Sequence, residues 1–141
     1  MGRLGRSYLF RFTTNGDRTM RYMMMVTTDE NFRASGPPPK ALMDAIDQLG
    51  RAAGNKIVSM GGLQHSSKGA KVRVRGGKLI VTDGPFTEAK EVIGGFTIMN
   101  LASKEEAIEA ARQFMELHRQ HWPGWEGDCE IRLMYEDGDH P

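Results

Sequence analysis

The feature that most constrains the fold of this chain is a β-hairpin signal near its centre. Residues 71–75 (KVRVR) and 78–82 (KLIVT) are strand-like, and only Gly76 and Gly77 separate them. A pair of glycines adopts the positive φ angles of a two-residue hairpin turn without steric cost. The sequence therefore predicts two antiparallel strands here, with the valines of KVRVR on one face and its basic side chains on the other.

One strand, one helix and a second strand are predicted on each side of this hairpin. The strands are predicted from short apolar or alternating runs at residues 21–27, 56–60, 95–101 and 129–136. The helices are predicted at residues 39–53 and from Lys104 onward, the second behind a capping box of Ser103 and Glu106. Two helices on one face of a mostly antiparallel sheet make an α+β fold of the ferredoxin-like type.

The uncovered face of such a sheet indicates a second copy of the chain. Methionines are frequent in the predicted strands, and the ones expected to point outward are Met23, Met25 or Met24, Met60, Met99 and Met134. Apolar side chains on an open sheet face are unfavourable in water, and a twofold partner that covers them removes that cost. The sequence therefore predicts a homodimer that packs sheet to sheet.

Length and composition are those of one small globular domain. The chain has 141 residues, of which 39% are hydrophobic and 26% charged, and no apolar run reaches the roughly 20 residues that cross a bilayer. The net charge of +1 disfavours nucleic-acid binding. Cys129 is the single cysteine and no secretion signal is recognised, so we expect a reducing, cytoplasmic location and no membrane contact.

The first residues differ in charge from the rest of the chain. Residues 1–19 hold four arginines and one aspartate. We expect them to form a flexible N-terminal extension before an ancestral start at Met20. Residues 20–136 are then the domain, and residues 137–141 are a short C-terminal tail.

The most specific motif follows the hairpin, at residues 81–91 (VTDGPFTEAKE) with GGF at 94–96. It resembles the signature of the YCII-related family, in its DGPF branch. Three other segments resemble the same family, namely RYM at 21–23, GGL at 61–63 and EIR at 130–132. The resemblance covers residues 20–136 and implies a dimeric α+β barrel of the ferredoxin-like type. Relatives with a proposed catalytic histidine carry it on the first helix, where this chain has none.

A catalytic pair is predicted from the turn that begins this motif. Asp83 ends the second hairpin strand, and His65 lies on the loop that enters the hairpin, which returns the chain toward the same end. A histidine oriented by a carboxylate can serve as a general base near neutral pH. We therefore predict Asp83 and His65 as an acid–base pair in a cleft. The alternative is a rigid turn with Phe86 in the core and an exposed His65.

Ligand-binding residues are predicted on the same loop. They are Pro85, Phe86, Glu88, Lys90 and Glu91. Lys90 would meet an anionic group and Glu91 would orient it, whereas the alternative is a hydrated turn whose ion pairs contribute little. The resulting hypothesis is a small-molecule site in a cleft of each subunit, with acid–base chemistry.

A second function comes from relatives in which such a domain is fused to a sigma factor. They imply a non-enzymatic interaction or regulatory module that is associated with transcription and binds a protein partner. The surface for it would be the basic side chains of Lys71, Arg73 and Arg75, or the N-terminal arginines. Otherwise these strand residues form the hydrated face of the hairpin.

Metal and cofactor sites are not predicted. His118 lies on the apolar face of the second helix, where a structural role is expected, and His121 with Trp122 is expected to pack in a loop. The two histidines are three residues apart, but no third ligand accompanies them. The glycine pairs indicate turns and bulges, because none has the spacing of a phosphate-binding or dinucleotide-binding loop.

Overall fold

A computed structural model of the chain describes residues 18–31, 36–86 and 91–136. The strands in these residues are β1 Met20–Asp29, β2 Ile57–Gly62, β3 Ala70–Arg75, β4 Lys78–Asp83, β5 Glu91–Leu101 and β6 Gly127–Leu133. The long helices are α1 Lys40–Ala53 and α2 Lys104–His121, and short 3₁₀ turns occur at Gly54–Lys56 and Ser66–Lys68. The predicted strands and helices are all present, with ends that differ from the predictions by a few residues.

The central sheet is antiparallel and has the strand order β2-β5-β1-β6. Strand β1 pairs with β5 along its whole length, with Tyr22 opposite Met99 and Met24 opposite Thr97. The hairpin of β3 and β4 forms a separate two-stranded sheet. The predicted α+β class is confirmed, and this strand order with two helices is compatible with the ferredoxin-like type.

Both long helices begin as the sequence predicts. The carbonyl of Pro39 accepts a hydrogen bond from the N–H of Leu42 at 3.1 Å, in the first turn of α1. At the start of α2, the Glu106 N–H donates to the Ser103 hydroxyl at 3.2 Å. The Glu106 carboxylate in turn accepts from the N–H of Ala102 at 2.9 Å. These bonds satisfy backbone donors that a helix start leaves unpaired.

The core lies between the sheet and the two helices. Its buried side chains are Tyr22, Met24, Ala53, Met99, Leu101, Ala107, Ala110 and Ala111. Because strand side chains alternate between faces, Met23 and Met25 lie on the opposite, uncovered face. The expectation of outward methionines is wrong for Met99, which is 2% exposed. Met60 lies on the helix side, opposite Thr97, rather than on the uncovered face, and is 44% exposed there. Met24, like Met99, is a core residue.

The hairpin exposes its apolar face rather than its basic one. Val72 lies opposite Val81, and Val74 lies opposite Leu79, and all four are between 64% and 75% exposed. On the other face Lys71 and Arg73 are half-buried. The expectation that the basic side chains form the hydrated face therefore holds only for Arg75, which is exposed.

Parts of the chain ends are described. The Arg18 guanidinium lies 2.6 Å from the Glu136 carboxylate; the Arg18 side chain is 80% exposed and the Glu136 side chain 39%. Residues 1–17 and 137–141 lie outside the described residues, so the proposed extension and tail stay predictions. Within residues 18–31, 36–86 and 91–136, no helix is both long and apolar enough to span a membrane.

Candidate functional site

A cavity of about 480 Å³ lies on the sheet face that carries the helices. Helix α1 contributes Leu42, Met43 and Ile46 to its wall, and the rest comes from β1, β2, β5, α2 and the segment after α2. Among the described residues that line it, none is a lysine, arginine, aspartate or glutamate. A cavity of this size with an apolar wall is typical of a small-molecule site.

Glycine pairs on neighbouring strands form part of this wall. Gly62 on β2 pairs with Gly95 on β5, and a Cβ atom at Gly95 would lie 3.1 Å from the carbonyl oxygen of Gly61. The pairing of β5 with β1 skips Gly94, whose carbonyl accepts a hydrogen bond from the Leu63 N–H at 2.9 Å. The glycine pairs were predicted to mark turns or bulges, and Gly94 with Gly95 marks a bulge. These glycines contribute no side chains that would fill the space.

Aromatic rings at the end of α2 and in the segment after it form another part of the wall. The rings of Trp122 and Trp125 are stacked, with centroids 6.0 Å apart. A Cβ atom at Gly127 would lie 2.5 Å from both the Thr27 carbonyl oxygen and the Trp125 ring, so a side chain there would force the backbone to move. The Thr28 hydroxyl, which is buried, donates to the Glu126 carbonyl at 3.1 Å and fixes the same segment.

His118 is the titratable side chain of this cavity, and it is 6% exposed. Its Nδ1 lies 3.0 Å from the Phe114 carbonyl oxygen, and because that oxygen can only accept, Nδ1 carries the proton. The imidazole lies between the rings of Phe114 and Trp125, at centroid distances of 4.8 and 4.6 Å. Burial lowers the pKa of His118, an effect that the Phe114 hydrogen bond opposes. The imidazole is therefore neutral at pH 7.

A polar cluster, distinct from the apolar cavity, lies where β1 ends. The Glu30 carboxylate accepts hydrogen bonds from the N–H of Ser66, at 2.7 Å, and from its hydroxyl. The Ser66 hydroxyl oxygen accepts from the Phe86 N–H at 3.3 Å. His65 Nε2 lies 3.8 Å from Glu30 Oε1, and His65 Nδ1 accepts from the Ser67 N–H at 3.1 Å. The fold thus places His65 beside Glu30, a carboxylate that the sequence does not single out.

The contacts of His65 define its neutral tautomer. A backbone N–H only donates, so Nδ1 is the acceptor and the proton of the neutral ring is on Nε2. The side chain is 37% exposed, which leaves it accessible to a ligand. With Nδ1 engaged by the Ser67 N–H, the neutral ring presents Nε2–H, which can donate a hydrogen bond to a polar group of a ligand.

The other predicted site residues have different surroundings. Asp83 is exposed at the end of β4 and pairs across the hairpin with Ala70. Pro85 is exposed, and Phe86 is half-buried with Lys71 Nζ 4.5 Å from its ring centroid. The carboxylate near His65 is therefore that of Glu30. The catalytic pair of His65 with Asp83 stays a prediction.

The predicted ligand-binding loop is described only in part. Glu91 is exposed and begins β5, opposite Asp29 of β1. Glu88 and Lys90 lie outside the described residues. Their contact with a ligand stays a prediction.

The glycine of the DGPF motif is fixed by a close approach of two backbone segments. A Cβ atom at Gly84 would lie 1.7 Å from the carbonyl oxygen of Ser66. The Gly84 N–H donates to the Gly69 carbonyl at 2.9 Å. No residue with a side chain fits this position without movement of the backbone. The contact favours a structural role for at least this part of the motif.

The sequence predicts only a structural role for His118 and no site role for the tryptophans. The available signal was the spacing of Phe114, His118 and Trp122 at intervals of four residues, followed by Trp125. Side chains four apart lie on one helix face. A face of ring-bearing side chains next to a loop with a further ring indicates either core packing or an aromatic pocket. Only the fold distinguishes the two.

Side chains that could bind a metal ion are not clustered within residues 18–31, 36–86 and 91–136. In these residues, no group of three or more histidine, cysteine, aspartate or glutamate side chains is arranged to hold an ion. His118 donates its Nδ1–H to a backbone carbonyl. The described cavity therefore offers a ligand hydrogen bonds and apolar contacts.

Fold and cavity together define a small α+β protein with an apolar pocket between its helices and its sheet. Residues 20–116 match the family model of the YCII-related domain, and the chain belongs to the YCII-related family. It is similar to a protein of Rhizobium meliloti (strain 1021) that is described as uncharacterized. The two are 32% identical over 88 residues, which cover 61% of this chain and 67% of the relative.

Proposed function

We propose that this YCII-related protein binds a small, mainly apolar molecule in the cavity between its helices and its sheet. One observation carries the proposal, namely a cavity of about 480 Å³ whose described lining has no charged side chain. The cavity is open to solvent at one side, where Met43, Met60 and Leu63 are between 42% and 49% exposed. A concave cleft with an apolar wall is the usual form of a small-molecule site, and a ligand that fills it would shield these side chains from water.

The size of the cavity limits the ligand. At about 30 Å³ for each water in the liquid, 480 Å³ corresponds to about sixteen water volumes. A molecule of one or two rings matches this space. Ligands of that size gain most of their affinity from apolar burial and little from charge in such a wall.

Acid–base chemistry at His65 and Asp83 is a further part of the proposal. Gln64 and Leu63 belong to the cavity lining, and His65 follows them in the chain, so it lies close to the cavity wall. The carboxylate of Glu30, 3.8 Å from His65 Nε2, can orient the ring and supports a role of His65 in proton transfer. Glu88, Lys90 and Glu91 are proposed to bind polar groups of the same ligand. On this proposal, Asp83→Asn and His65→Gln abolish conversion of a compound retained by the protein and leave its melting temperature unchanged.

A homodimer, of the barrel type that the family resemblance implies, is proposed as the assembly that carries two such cavities. Support comes from the exposed apolar face of the hairpin, formed by Val72, Val74, Leu79 and Val81. Contiguous apolar surface of this kind is typical of an interaction site. A second copy related by a twofold axis would bury the same residues of both chains.

The cavity is tested with 1-methylnaphthalene, a two-ring hydrocarbon, titrated into the purified protein and followed by amide NMR shifts. Native mass spectrometry of the untreated protein reports any compound retained from the cell. We expect saturable shifts at residues that line the cavity. The substitution Ile46→Trp fills the cavity and is expected to weaken binding about tenfold or more.

Ile108→Trp is the matched control, because Ile108 lies on α2, is 44% exposed and is outside the cavity lining. It is expected to leave the affinity within about twofold, a difference of roughly 0.4 kcal/mol. Absence of saturable binding to the wild-type protein would refute the proposal. So would equal affinities of wild type and Ile46→Trp.

A further inference from the structure

We propose that the cavity selects a neutral aromatic molecule with a hydroxyl group, and that His118 Nε2 accepts the hydrogen bond from that hydroxyl. Phenols are the chemical class that this describes. The inference rests on the proposed function, because it names the class of ligand for the same cavity. It is carried by the position of His118 and by the proton on its other ring nitrogen.

The hydrogen bonds of His118 leave one acceptor for a ligand. Nδ1 holds the proton and donates it to the Phe114 carbonyl at 3.0 Å, so Nε2 of the neutral ring has a free lone pair. Among the described contacts of His118, no hydrogen bond engages Nε2. Nε2 also keeps some accessible surface, because a fully buried nitrogen without a partner would be an unsatisfied buried atom, and Nε2 is not one. Since His118 lines the cavity, its acceptor is accessible from the cavity.

An acceptor in an apolar space is matched by a ligand with a donor. A ligand without a donor would displace water from Nε2 and leave the nitrogen without a hydrogen bond, which reduces affinity. A hydroxyl group supplies that bond and adds little polar surface. Sites that are built to bind one polar group discriminate against analogues that lack it.

Charge in the ligand is disfavoured by the lining. The described wall contributes no lysine or arginine to neutralise a carboxylate, and no aspartate or glutamate to neutralise an amine. Transfer of an unpaired ion into such surroundings has a large free-energy cost. A neutral hydroxyl avoids this cost.

Aromatic character in the ligand is favoured by the rings around the acceptor. Phe114, Trp122 and Trp125 line the cavity together with His118, and Trp125 lies 4.6 Å from the His118 ring centroid. Aromatic pairs prefer offset or tilted arrangements at such distances. A ring whose edge carries the hydroxyl can contact these side chains and reach Nε2 at the same time.

The experiment compares 1-naphthol with 1-methylnaphthalene, two molecules of nearly equal shape that differ by a hydroxyl in place of a methyl group. Each is titrated into the full chain and followed by amide NMR shifts. We expect 1-naphthol to bind the wild-type protein about tenfold more tightly, as one hydrogen bond to a buried acceptor predicts. The variant His118→Phe keeps a ring but removes the acceptor, and is expected to lose this preference.

His121→Phe is the matched control, because it makes the same change three residues further along α2 and outside the cavity lining. It is expected to retain the tenfold preference for 1-naphthol. A wild-type protein that binds both compounds equally, or a His118→Phe variant that still prefers 1-naphthol, overturns the inference and leaves the proposed function intact. Binding of neither compound overturns the proposed function and the inference with it.

A measurement on the wild-type protein covers the case in which His118→Phe does not fold. The nitrogen-15 resonance of Nε2 is characteristic of an unprotonated imidazole nitrogen and moves when that nitrogen accepts a hydrogen bond. We expect it to move on addition of 1-naphthol and to stay in place with 1-methylnaphthalene. An unchanged resonance at saturation with 1-naphthol overturns the inference.

Discussion

Glu30 and Ser66, 36 residues apart in the chain, are joined by two hydrogen bonds, one from the N–H of Ser66 and one from its hydroxyl. The same hydroxyl accepts from the Phe86 N–H. The Glu30 carboxylate, at the end of β1, thereby binds Ser66 in the turn before the hairpin. Ser66 in turn binds Phe86 in the segment after the hairpin. The hairpin is a separate sheet, and this connection helps to hold it against the end of β1.

Loss of this connection is expected to destabilise the protein. Glu30 is 12% exposed, and Glu30→Gln replaces a charged acceptor with a neutral one while Ser66→Ala removes the hydroxyl. Each is expected to lower the free energy of unfolding by about 1–3 kcal/mol. Asp44→Asn, which breaks only an exposed pair with Lys40, is the control and should cost about 0.5 kcal/mol or less. Urea unfolding measures all three, and equal losses at Glu30 and Asp44 would contradict the expectation.

Gly84→Ala tests whether the DGPF motif is structural. A Cβ atom there would lie 1.7 Å from the Ser66 carbonyl oxygen, so backbone must move, at a cost of about 2 kcal/mol or more. Gly62→Ala is the control, because its Cβ would have no neighbour within 4 Å. Thermal unfolding should show a lowered melting temperature for Gly84→Ala alone. Unchanged stability of Gly84→Ala would refute the structural role.

Stability is expected to fall below pH 6.5 because of His118. Burial lowers its pKa from the ordinary 6.5, against the opposing Phe114 hydrogen bond. The unfolded chain therefore takes up a proton before the folded one does as the pH falls, and folding loses free energy from pH 6.5 down to the folded-state pKa. The described cavity lining brings no charged side chain toward the ring, and burial and the Phe114 carbonyl are the two influences on its pKa.

This pH dependence is measured by urea unfolding at pH 7.5 and pH 5 on the wild-type protein and two variants. His118→Phe should show a smaller loss of stability between the two pH values than wild type does. His121→Phe should behave like wild type. A loss of equal size in wild type and His118→Phe would assign the effect to other groups.

Cys129 is expected to react slowly with thiol reagents while the protein is folded. It lies on β6 opposite Val26, and burial raises the pKa of its thiol to about 11. At pH 8 only about one thiol in a thousand is then ionised, and the thiolate is the reactive form. Release of thionitrobenzoate from a disulfide reagent should be at least about a hundredfold slower in buffer than in denaturant.

The control for this experiment is an exposed cysteine on the same strand. Leu133 is 59% exposed, and Leu133→Cys in a Cys129→Ala background places a thiol there. It should react at a similar rate in buffer and in denaturant. Fast labelling of Cys129 in the folded protein would show that its surroundings are accessible to water.

Local signals made most of the fold predictable. Gly76 and Gly77 take φ angles of 56° and 77°, as the hairpin signal requires, and the cap of α2 forms between residues three apart. Such features depend on neighbours in the chain. The position of Met99 was not predictable in this way, because a single residue of register decides which sheet face a strand side chain occupies.

The candidate site was less predictable, for a physical reason. The contact between Glu30 and Ser66 joins segments 36 residues apart, and the cavity collects side chains from both helices and several strands. Neither leaves a spacing pattern in the sequence. His65 was recognised by its residue type, but its carboxylate neighbour depends on where β1 ends relative to the turn.

The exposed face of the hairpin gives the last prediction, which concerns assembly. Val74 lies opposite Leu79, and they are 64% and 75% exposed. If a second copy covers this face, Val74→Lys places a charge in the interface of both chains, because a twofold axis repeats the change. Dimer formation should weaken by about 2 kcal/mol or more, roughly thirtyfold in the dissociation constant.

Sedimentation velocity at micromolar concentration measures this change. The wild-type protein should sediment as a dimer and Val74→Lys should shift toward monomer. Ile108→Lys introduces the same charge at an exposed position of α2, away from the hairpin, and should remain dimeric. If Ile108→Lys separates the subunits and Val74→Lys does not, the interface involves the helices instead. A wild-type monomer would leave the apolar hairpin face without a second copy to cover it, and the proposed assembly would be abandoned.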